Sequence, residues 1–288
     1  MSSTGQLPAM PGIALMHRMA ARSWTATAGL AITCLLALAA VLAPWLTGGD
    51  PADMDFNAIM APPSPAHFFG TDNFGRDVLT RVIFGLQVSL VVAISSVALA
   101  LVAGVPLGLF AGYRGGWVGT IIMRTTDVFM AFPAIVFVVA LAGIFGASIS
   151  LMVLSITLIF VPIIVRVTAG ASSAIKNELY IEGAQARGAS HVRIMAIHIL
   201  PNALAIIAVQ ASALMGIAIL FESALSFIGL GVQPPTPSLG LMLAENRPYM
   251  GDAPWLVLGP GGCILLAVLG FNLFGDGLPS LFGRSQRG

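Results

Sequence analysis

Charged side chains are scarce in this sequence. Lys, Arg, Asp and Glu together make up 9% of the 288 residues, whereas hydrophobic residues make up 57%. With a mean hydropathy of +0.94, this composition excludes an ordinary water-soluble domain and is typical of a protein with several membrane spans. The formal net charge is only +1. Because the basic residues are scattered along the chain, no surface for nucleic acid is predicted.

Lysine is the scarcest charged residue, and its scarcity bears on ATP binding. The only lysine is Lys176, and Asn177 follows it. The standard phosphate-binding loop of ATPases requires Gly-Lys followed by Ser or Thr, so this chain does not hydrolyse ATP by that route. Neither the HExxH motif of zinc proteases nor the GxSxG motif of hydrolases occurs. The sequence therefore predicts no catalytic residue, no metal ligand and no enzyme.

Long apolar runs fill most of the chain. Six windows reach about 20 residues, the length that crosses a bilayer as a helix. The sequence therefore predicts an all-α membrane protein with transmembrane helices over residues 24–46, 88–112, 120–145, 149–170, 202–221 and 254–275. The same pattern predicts a loosely ordered cytoplasmic tail over 1–23, an external segment over 47–87, a transmembrane core over 88–280 and a cytoplasmic tail over 281–288. A cleaved signal peptide is the alternative for the first run, but that run is longer than a typical signal.

The distribution of Lys and Arg predicts the orientation of the six spans. With both termini in the cytoplasm, three basic residues lie outside: Arg76, Arg81 and Arg247. Ten then lie on the cytoplasmic side: Arg18, Arg22, Arg114, Arg124, Arg166, Lys176, Arg187, Arg193, Arg284 and Arg287. Because cytoplasmic loops of membrane proteins carry an excess of Lys and Arg, this orientation is strongly favoured.

A polar loop, residues 178–202, separates the fourth and fifth spans and lies on the predicted cytoplasmic side. It reads as two short helices. The first has Asn177 as a candidate N-cap and stops at Gly188, which suits a left-handed conformation. The second has Ser190 as a candidate N-cap, and Pro201 stands where a further helix can begin. Helical spacing places one apolar face on Val192, Met195, Ala196 and Ile199, opposite His191 and Arg193.

The spacing of three short segments in this loop resembles a known motif. Glu182-Gly183-Ala184 is followed after three residues by Gly188, and later by Leu200-Pro201. This pattern resembles the EAA loop of ABC importer permeases, the coupling helix that docks into a groove of the ATPase subunit. Two residues depart from the pattern, since Gly183 replaces an alanine and His198 replaces an isoleucine. The resemblance implies ATPase coupling by Glu182, Gly183, Ala184, Arg187, Gly188, Ala189, His198, Leu200 and Pro201, with Glu182 and Arg187 as the main contacts.

A second motif lies in the external segment and consists of Gly70, Thr71, Asp72, Gly75, Arg76 and Asp77. Its Gly and Asp residues are turn formers. It resembles the Gly-Thr-Asp-x-x-Gly-Arg-Asp segment of one permease in the importers of dipeptides, oligopeptides and nickel. Residues 222–240 also resemble the peptide permeases, with Leu239 in place of a tryptophan. Their Gly and Pro residues predict a rigid cover rather than a seventh span.

Two carboxylates at span ends are candidate pathway or packing residues. Asp127 lies near the cytoplasmic end of the third span, where pairing with Arg124 is favoured over contact with cargo. Glu222 closes the fifth span on the outer side. There it either meets the ammonium group of a peptide or faces water and neighbouring side chains, and the second alternative is favoured.

Two other groups of residues have competing explanations. Gly104, Gly108 and Gly112 clear one face of the second span, which favours helix packing over a role in translocation. The carboxylates Asp50, Asp53 and Asp55 are best explained as a solvated turn, with a bound cation as the alternative.

Together these resemblances imply the type I ABC importer permease architecture, with six helices and a cytoplasmic coupling helix in a bacterial inner membrane. They imply partners as well: a second, different permease, two ATPase subunits that bind the ATP and Mg²⁺, a substrate-binding protein on the outer side and the lipid bilayer. The expected cargo is short peptides, with nickel chelates, glutathione or opines as alternatives. A self-contained secondary transporter is the rival from another class, although the spans have few charges near their centres.

Overall fold

The computed structural model of the protein describes residues 11–282, and these residues form helices joined by loops. The helices are α1 (Pro11–Val41), α2 (Ala43–Thr47), α3 (Val78–Arg114), α4 (Gly116–Ala131), α5 (Ala134–Phe145), α6 (Ile149–Ile175), α7 (Leu179–Ala186), α8 (His191–Arg193), a π-helix (Ile194–Ile199), α9 (Leu200–Phe227), α10 (Leu239–Asn246), a 3₁₀ turn (Arg247–Tyr249) and α11 (Trp255–Phe282). Within the described residues the only bridge of β type joins Thr71 and Asp77. The predicted all-α class is confirmed.

Five helices are long and apolar enough to cross a membrane, and the bent pair α4 and α5 raises the number to six if it forms one span. The predicted third span over 120–145 consists of two helices, because α4 and α5 meet at an angle of 80°. The break lies at Phe132 and Pro133. Phe132 is extended, with ψ of 131°, as the residue before a proline usually is. Pro133 has no N–H to continue the helix.

The first two spans also have boundaries that differ from the prediction. α1 begins at Pro11, so the predicted loose tail over 1–23 is helical from that residue onward. The remaining parts of the two predicted tails, 1–10 and 283–288, lie outside the described residues. α3 begins at Val78, within the predicted external segment 47–87, because the carboxylate of Asp77 caps it by accepting from the Thr80 backbone N–H at 2.8 Å.

The core of the bundle lies between α3, α6, α9 and α11. Each helix contributes a fully buried side chain: Val92, Ile156, Leu214 and Ala267. At the α3–α6 contact the glycines Gly104 and Gly108 let the two backbones approach closely. A methyl group at Gly104 would lie 2.7 Å from Cγ2 of Ile164, and one at Gly108 would lie 2.6 Å from Cβ of Thr168. The predicted packing role of this glycine face is confirmed.

Candidate functional site

The first half of the polar loop is α7 and the turn that ends it. Gly188 has φ of +79°, so the predicted left-handed conformation is confirmed. The Gly188 N–H donates to the Gln185 carbonyl at 2.9 Å, and the Ala189 N–H donates to the Ala184 carbonyl at 3.1 Å. These two bonds form a Schellman motif, which satisfies carbonyls at the helix end. The N-cap is Glu178 rather than the predicted Asn177, whose amide instead donates to the Ser173 carbonyl.

The second half of the loop runs into the membrane helix without a break. Ser190 caps it as predicted, accepting from the Arg193 N–H at 3.4 Å. α9 begins at Leu200, so Pro201 lies in its first turn as predicted, but the π-helix Ile194–Ile199 joins α9 to α8 without a break. Pro201 lacks an N–H and its ring crowds the carbonyl four residues earlier, and the wider turns of a π-helix accommodate both effects. The side chain of Asn202 donates to the His198 carbonyl at 2.6 Å.

The π-helix changes which residues of the loop are buried. Its hydrogen bonds join residues five apart, and Ile194 and Ile199 both have an exposed fraction of 0%. Val192 and Ile199, which the sequence places on one apolar face, differ in burial, since Val192 is 71% exposed and Ile199 is fully buried. A search for α-helical spacing misses Ile194 because it assumes the same periodicity throughout the loop.

Residues from α7 and α3 complete the cluster around these isoleucines. Ile181 and Ala184 of α7 pack with Leu109 and Tyr113 near the end of α3. Sequence reasoning missed Tyr113, although an aromatic residue next to an arginine at the end of a span is typical of a membrane interface. The polar loop is therefore seated on α3 by an apolar contact as well as joined to α6 and α9 by the chain.

The opposite side of the loop faces away from the bundle. Glu182 and Arg187, the two predicted main contacts, are exposed. Leu179 is 82% exposed and Val192 is 71% exposed, so the loop exposes apolar side chains as well. Of the other residues that the motif resemblance marks, Ala184 is buried and faces α3. It therefore supports the loop from within and does not reach its outer surface.

The second motif, residues 70–77, forms a tight turn at the far end of α3. Both Gly70 and Gly75 have positive φ, as turn formers should. Oδ1 of Asp72 accepts from the backbone N–H of Arg76 at 2.9 Å, and Oδ2 accepts from its Nε at 2.7 Å. Thr71 donates to the Ala58 carbonyl, which ties the turn to the preceding loop.

A buried ionic cluster links this turn to α10. Arg81 is 2% exposed, and its Nη2 lies 3.0 Å from Oε2 of Glu245 while its Nη1 lies 3.4 Å from Oδ2 of Asp72. Arg76 reaches the same Glu245 oxygen at 3.4 Å. Because a buried charge requires a partner, these contacts hold α10 over the end of the bundle. The pairing of Arg81 with Glu245 was not predicted.

Glu222 is enclosed within the bundle, and the expectation that it faces the outer compartment is wrong. Its exposed fraction is 0%. Oε2 accepts from the hydroxyl of Ser89 on α3 at 2.5 Å, and Oε1 accepts from the hydroxyl of Ser226 at 2.9 Å. Ser223 adds a contact at 3.3 Å. These bonds join α3 to α9, so Glu222 packs against neighbouring side chains in this structure.

Asp127 pairs with two arginines at the edge of a groove. The expected contact with Arg124 is present at 3.6 Å, but the nearer partner is Arg166 of α6, whose Nη2 lies 2.5 Å from Oδ1. The groove has a volume of about 660 Å³ and lies between α3, α4 and α6. Asp127 is 42% exposed and Arg166 is 48% exposed, so the pair remains open to the groove.

The acidic residues of the first connecting loop form turns with their own backbone. Asp50 accepts from the Ala52 N–H at 2.8 Å, and Asp55 accepts from the Asn57 N–H at 2.9 Å. Asp53 accepts from the N–H of Asp50 at 3.1 Å. This arrangement agrees with the interpretation of a solvated turn.

Comparison with known proteins places the chain in a family. Residues 104–288 match the family described as binding-protein-dependent transport system inner membrane component. Residues 14–63 match the N-terminal transmembrane domain of oligopeptide transport permease C. A dipeptide transport system permease protein of Alkalihalophilus pseudofirmus is 43% identical, over 88% of this chain and 83% of that protein. A probable D,D-dipeptide transport system permease protein of Escherichia coli is 39% identical, over 96% and 93%.

A solved structure supports the fold. The methionine ABC transporter MetNI, in inward-facing conformations, contains a chain that matches with a TM-score of 0.56 at 18% identity, covering 68% of this chain and 93% of that one. The architecture is that of a type I ABC importer permease. The matched segment includes the whole polar loop, which carries the motif first seen in the sequence. The chain therefore belongs to the binding-protein-dependent transport system inner membrane components, the permease subunits of ABC importers.

Proposed function

We propose that this chain is a transmembrane permease subunit that moves short peptides across the plasma membrane. Relatives at about 40% identity are named as dipeptide and di/tripeptide transport permeases. The observation that carries the proposal is the polar loop, which packs on α3 and α9 and exposes Glu182, Arg187 and Leu179. Such an exposed surface suits the binding of a separate subunit whose movements are transmitted to the transmembrane helices.

Energy comes from two separate ATPase subunits, which bind the ATP and Mg²⁺. This chain has no Gly-Lys-Ser or Gly-Lys-Thr segment, so it contributes the contact surface and not the hydrolysis. Glu182 and Arg187 bind the ATPase groove, with the apolar Leu179 and Val192 beside them. The chain itself is not an enzyme.

Both termini lie in the cytoplasm of a bacterial cell, and the protein spans the inner membrane. The distribution of Lys and Arg supports this orientation. The polar loop then faces the cytosolic ATPases. The turn at 70–77 and α10 face the outer side, where a substrate-binding protein delivers the cargo.

A second, homologous but different permease completes the pore. The support is the exposed apolar surface of the broken third span, where Val128, Phe132, Val136 and Ile144 are between 56% and 75% exposed. These side chains pack against few neighbours within this chain. The pore then runs between the two permeases, and the ATPases close and open it by moving the two coupling loops relative to each other.

Cargo is tested by uptake in living cells. A strain lacking this chain is complemented with the wild-type gene, and uptake of labelled dipeptide, tripeptide, nickel chelate and glutathione is compared. We expect restored uptake of the peptides. Glutathione is included because one relative, from Pectobacterium atrosepticum, is named a glutathione transport permease. Restored uptake of glutathione or nickel alone would show that the peptide assignment is wrong.

Orientation is tested by labelling. Glu182→Cys, placed in a chain whose Cys34 and Cys263 are replaced by alanine, is exposed to a membrane-impermeant maleimide. We expect labelling in inside-out vesicles and not in intact spheroplasts. The reverse pattern would place the polar loop outside and contradict the proposed coupling.

A further inference from the structure

Tyr113 occupies a distinctive position at the junction of α3 and the polar loop. It is the last residue but one of α3, and its exposed fraction is 8%. Its ring belongs to the same apolar cluster as Ile181 of α7 and Ile194 of the π-helix. The ring is therefore fixed by packing, which leaves the hydroxyl at a defined place under the loop.

The hydroxyl of Tyr113 contacts both halves of the polar loop. Nε2 of Gln185, on α7, donates to it at 3.4 Å. Nδ1 of His191, on α8, lies 2.9 Å from the same oxygen, and the two rings have their centroids 5.6 Å apart. A phenol can accept one hydrogen bond and donate another. Because Gln185 and His191 lie on opposite sides of Gly188, one atom of α3 holds the two arms of the turn together.

The connectivity of the chain gives these contacts their importance. α6 leads directly into the loop and α9 leads directly out of it, so movement of the loop reaches both helices through the backbone. α3 is far from the loop in sequence and touches it only through side chains. It is nevertheless the helix that packs against α6 with its glycine face and, through Ser89, against Glu222 of α9. If a displacement of the polar loop moved α6 and α9 but not α3, the contacts of α3 with these two helices would resist the movement.

We propose that Tyr113 is a positioning residue for coupling: its hydroxyl transmits the displacement of the polar loop to α3. The proposal rests on the proposed function, because it requires that partner ATPases displace the loop. Tyr113 lies on α3 and is buried under the loop, whereas Glu182 and Arg187 are exposed on the loop. Loss of the Tyr113 hydroxyl should leave ATP hydrolysis intact but uncouple it from uptake.

A second tyrosine offers a matched control. Tyr180 of α7 also carries a hydroxyl bonded to an amide, since Nδ2 of Asn202 donates to it at 3.3 Å, and its ring lies 6.4 Å from that of His198. Desolvation and the nearby Glu178 carboxylate raise the pKa of Tyr180. This bond joins parts of the chain that the backbone already connects. It does not reach α3.

The test compares Tyr113→Phe with Tyr180→Phe. Each variant is reconstituted as the full complex with its second permease, ATPases and binding protein, and both dipeptide uptake and ATP hydrolysis are measured. The phenylalanine keeps the buried ring, and both Gln185 and His191 are exposed enough to bind water instead, so the fold is retained. Loss of a hydrogen bond shifts an equilibrium by about fivefold. We expect the ratio of uptake to hydrolysis to fall about fivefold in Tyr113→Phe and to stay at the wild-type value in Tyr180→Phe.

A double-mutant cycle identifies the contact responsible. His191→Ala alone should lower the ratio, and adding it to Tyr113→Phe should lower it little further, because both changes remove the same bond. An unchanged ratio in Tyr113→Phe, an equal fall in Tyr180→Phe or full additivity would each overturn the proposal. So would loss of assembly with a normal ratio in the remaining complexes. Absence of ATP-dependent uptake in the wild-type complex would instead contradict the proposed function, which keeps the two failures distinct.

Discussion

Oδ1 of Asp127 lies 2.5 Å from Nη2 of Arg166, and this ion pair joins the broken third span to α6. Both side chains remain nearly half exposed to a groove, so the pair contributes about 1 kcal/mol or less to stability. Its greater effect is on position, because it links α4 to α6 through a side-chain hydrogen bond. Arg124 serves as a control for Arg166, because it lies 3.6 Å from the same carboxylate but is 79% exposed.

The first prediction follows from this pair. Asp127→Arg and Arg166→Asp each place like charges together and should reduce uptake, whereas the double exchange should recover part of it. Arg124→Gln should have a smaller effect than either. Uptake by the reconstituted complex, at equal amounts of assembled protein, is the measurement. A double exchange no better than the single changes would show that the pair is not what positions α4.

The second prediction concerns the enclosed carboxylate of Glu222. Glu222→Ala removes the acceptor of three serine hydroxyls and leaves a cavity, so we expect a loss of about 3 kcal/mol. Glu222→Gln keeps the volume and part of the hydrogen bonding and should lose less. The thermal midpoint of the purified permease in detergent measures both. If Glu222 instead binds cargo, both variants should keep the wild-type midpoint and lose peptide affinity.

The third prediction compares two glycines of one helix pair. Gly108→Ala brings a methyl group within 2.6 Å of Cβ of Thr168, so it should separate α3 from α6 and cost about 1–3 kcal/mol. Gly170 on α6 has open space at the corresponding position. Gly170→Ala should be neutral or stabilising by up to about 1 kcal/mol, because alanine favours a helix. The thermal midpoints of the two variants are measured side by side. Equal midpoints for Gly108→Ala and Gly170→Ala would contradict the packing role of the glycine face.

The fourth prediction concerns the left-handed turn of the polar loop. Gly188→Asn should be the mildest change, since asparagine tolerates positive φ better than alanine. Gly188→Ala should be worse, and Gly188→Pro worst, because proline fixes φ near −65° and removes the N–H that donates to Gln185. For Gly188→Pro we expect assembled or weakened complexes in which ATP hydrolysis is uncoupled from uptake. Normal transport by this variant would contradict a role for the turn in transmission.

Local features of the polar loop were predictable because they depend on a few adjacent residues. Gly188 is left-handed and Ser190 is an N-cap, as their types and positions indicated. The π-helix was not predictable in the same way. It depends on how Pro201 is accommodated within a continuous helix, and only the observed hydrogen bonds show that the register has changed.

Contacts between distant parts of the chain were beyond the sequence. Arg81 meets Glu245 across 164 positions, and Glu222 meets Ser89 across 133. A single sequence shows that such residues are charged or polar, but not which partner the fold brings to them. The angle between α4 and α5 is likewise not predictable from the sequence. Pro133 indicates where the helix is interrupted, but packing determines whether it bends or breaks there.

The central claim is that separate ATPases drive this permease through its polar loop, and one measurement tests it most directly. Proteoliposomes are prepared with the full complex, and matched ones lack only the ATPase subunits. Uptake of a labelled dipeptide is then followed with and without ATP on the side of the polar loop. The account predicts uptake only when both the ATPases and ATP are present. Concentrative uptake by the permease without ATPases would contradict it and would identify a self-contained transporter.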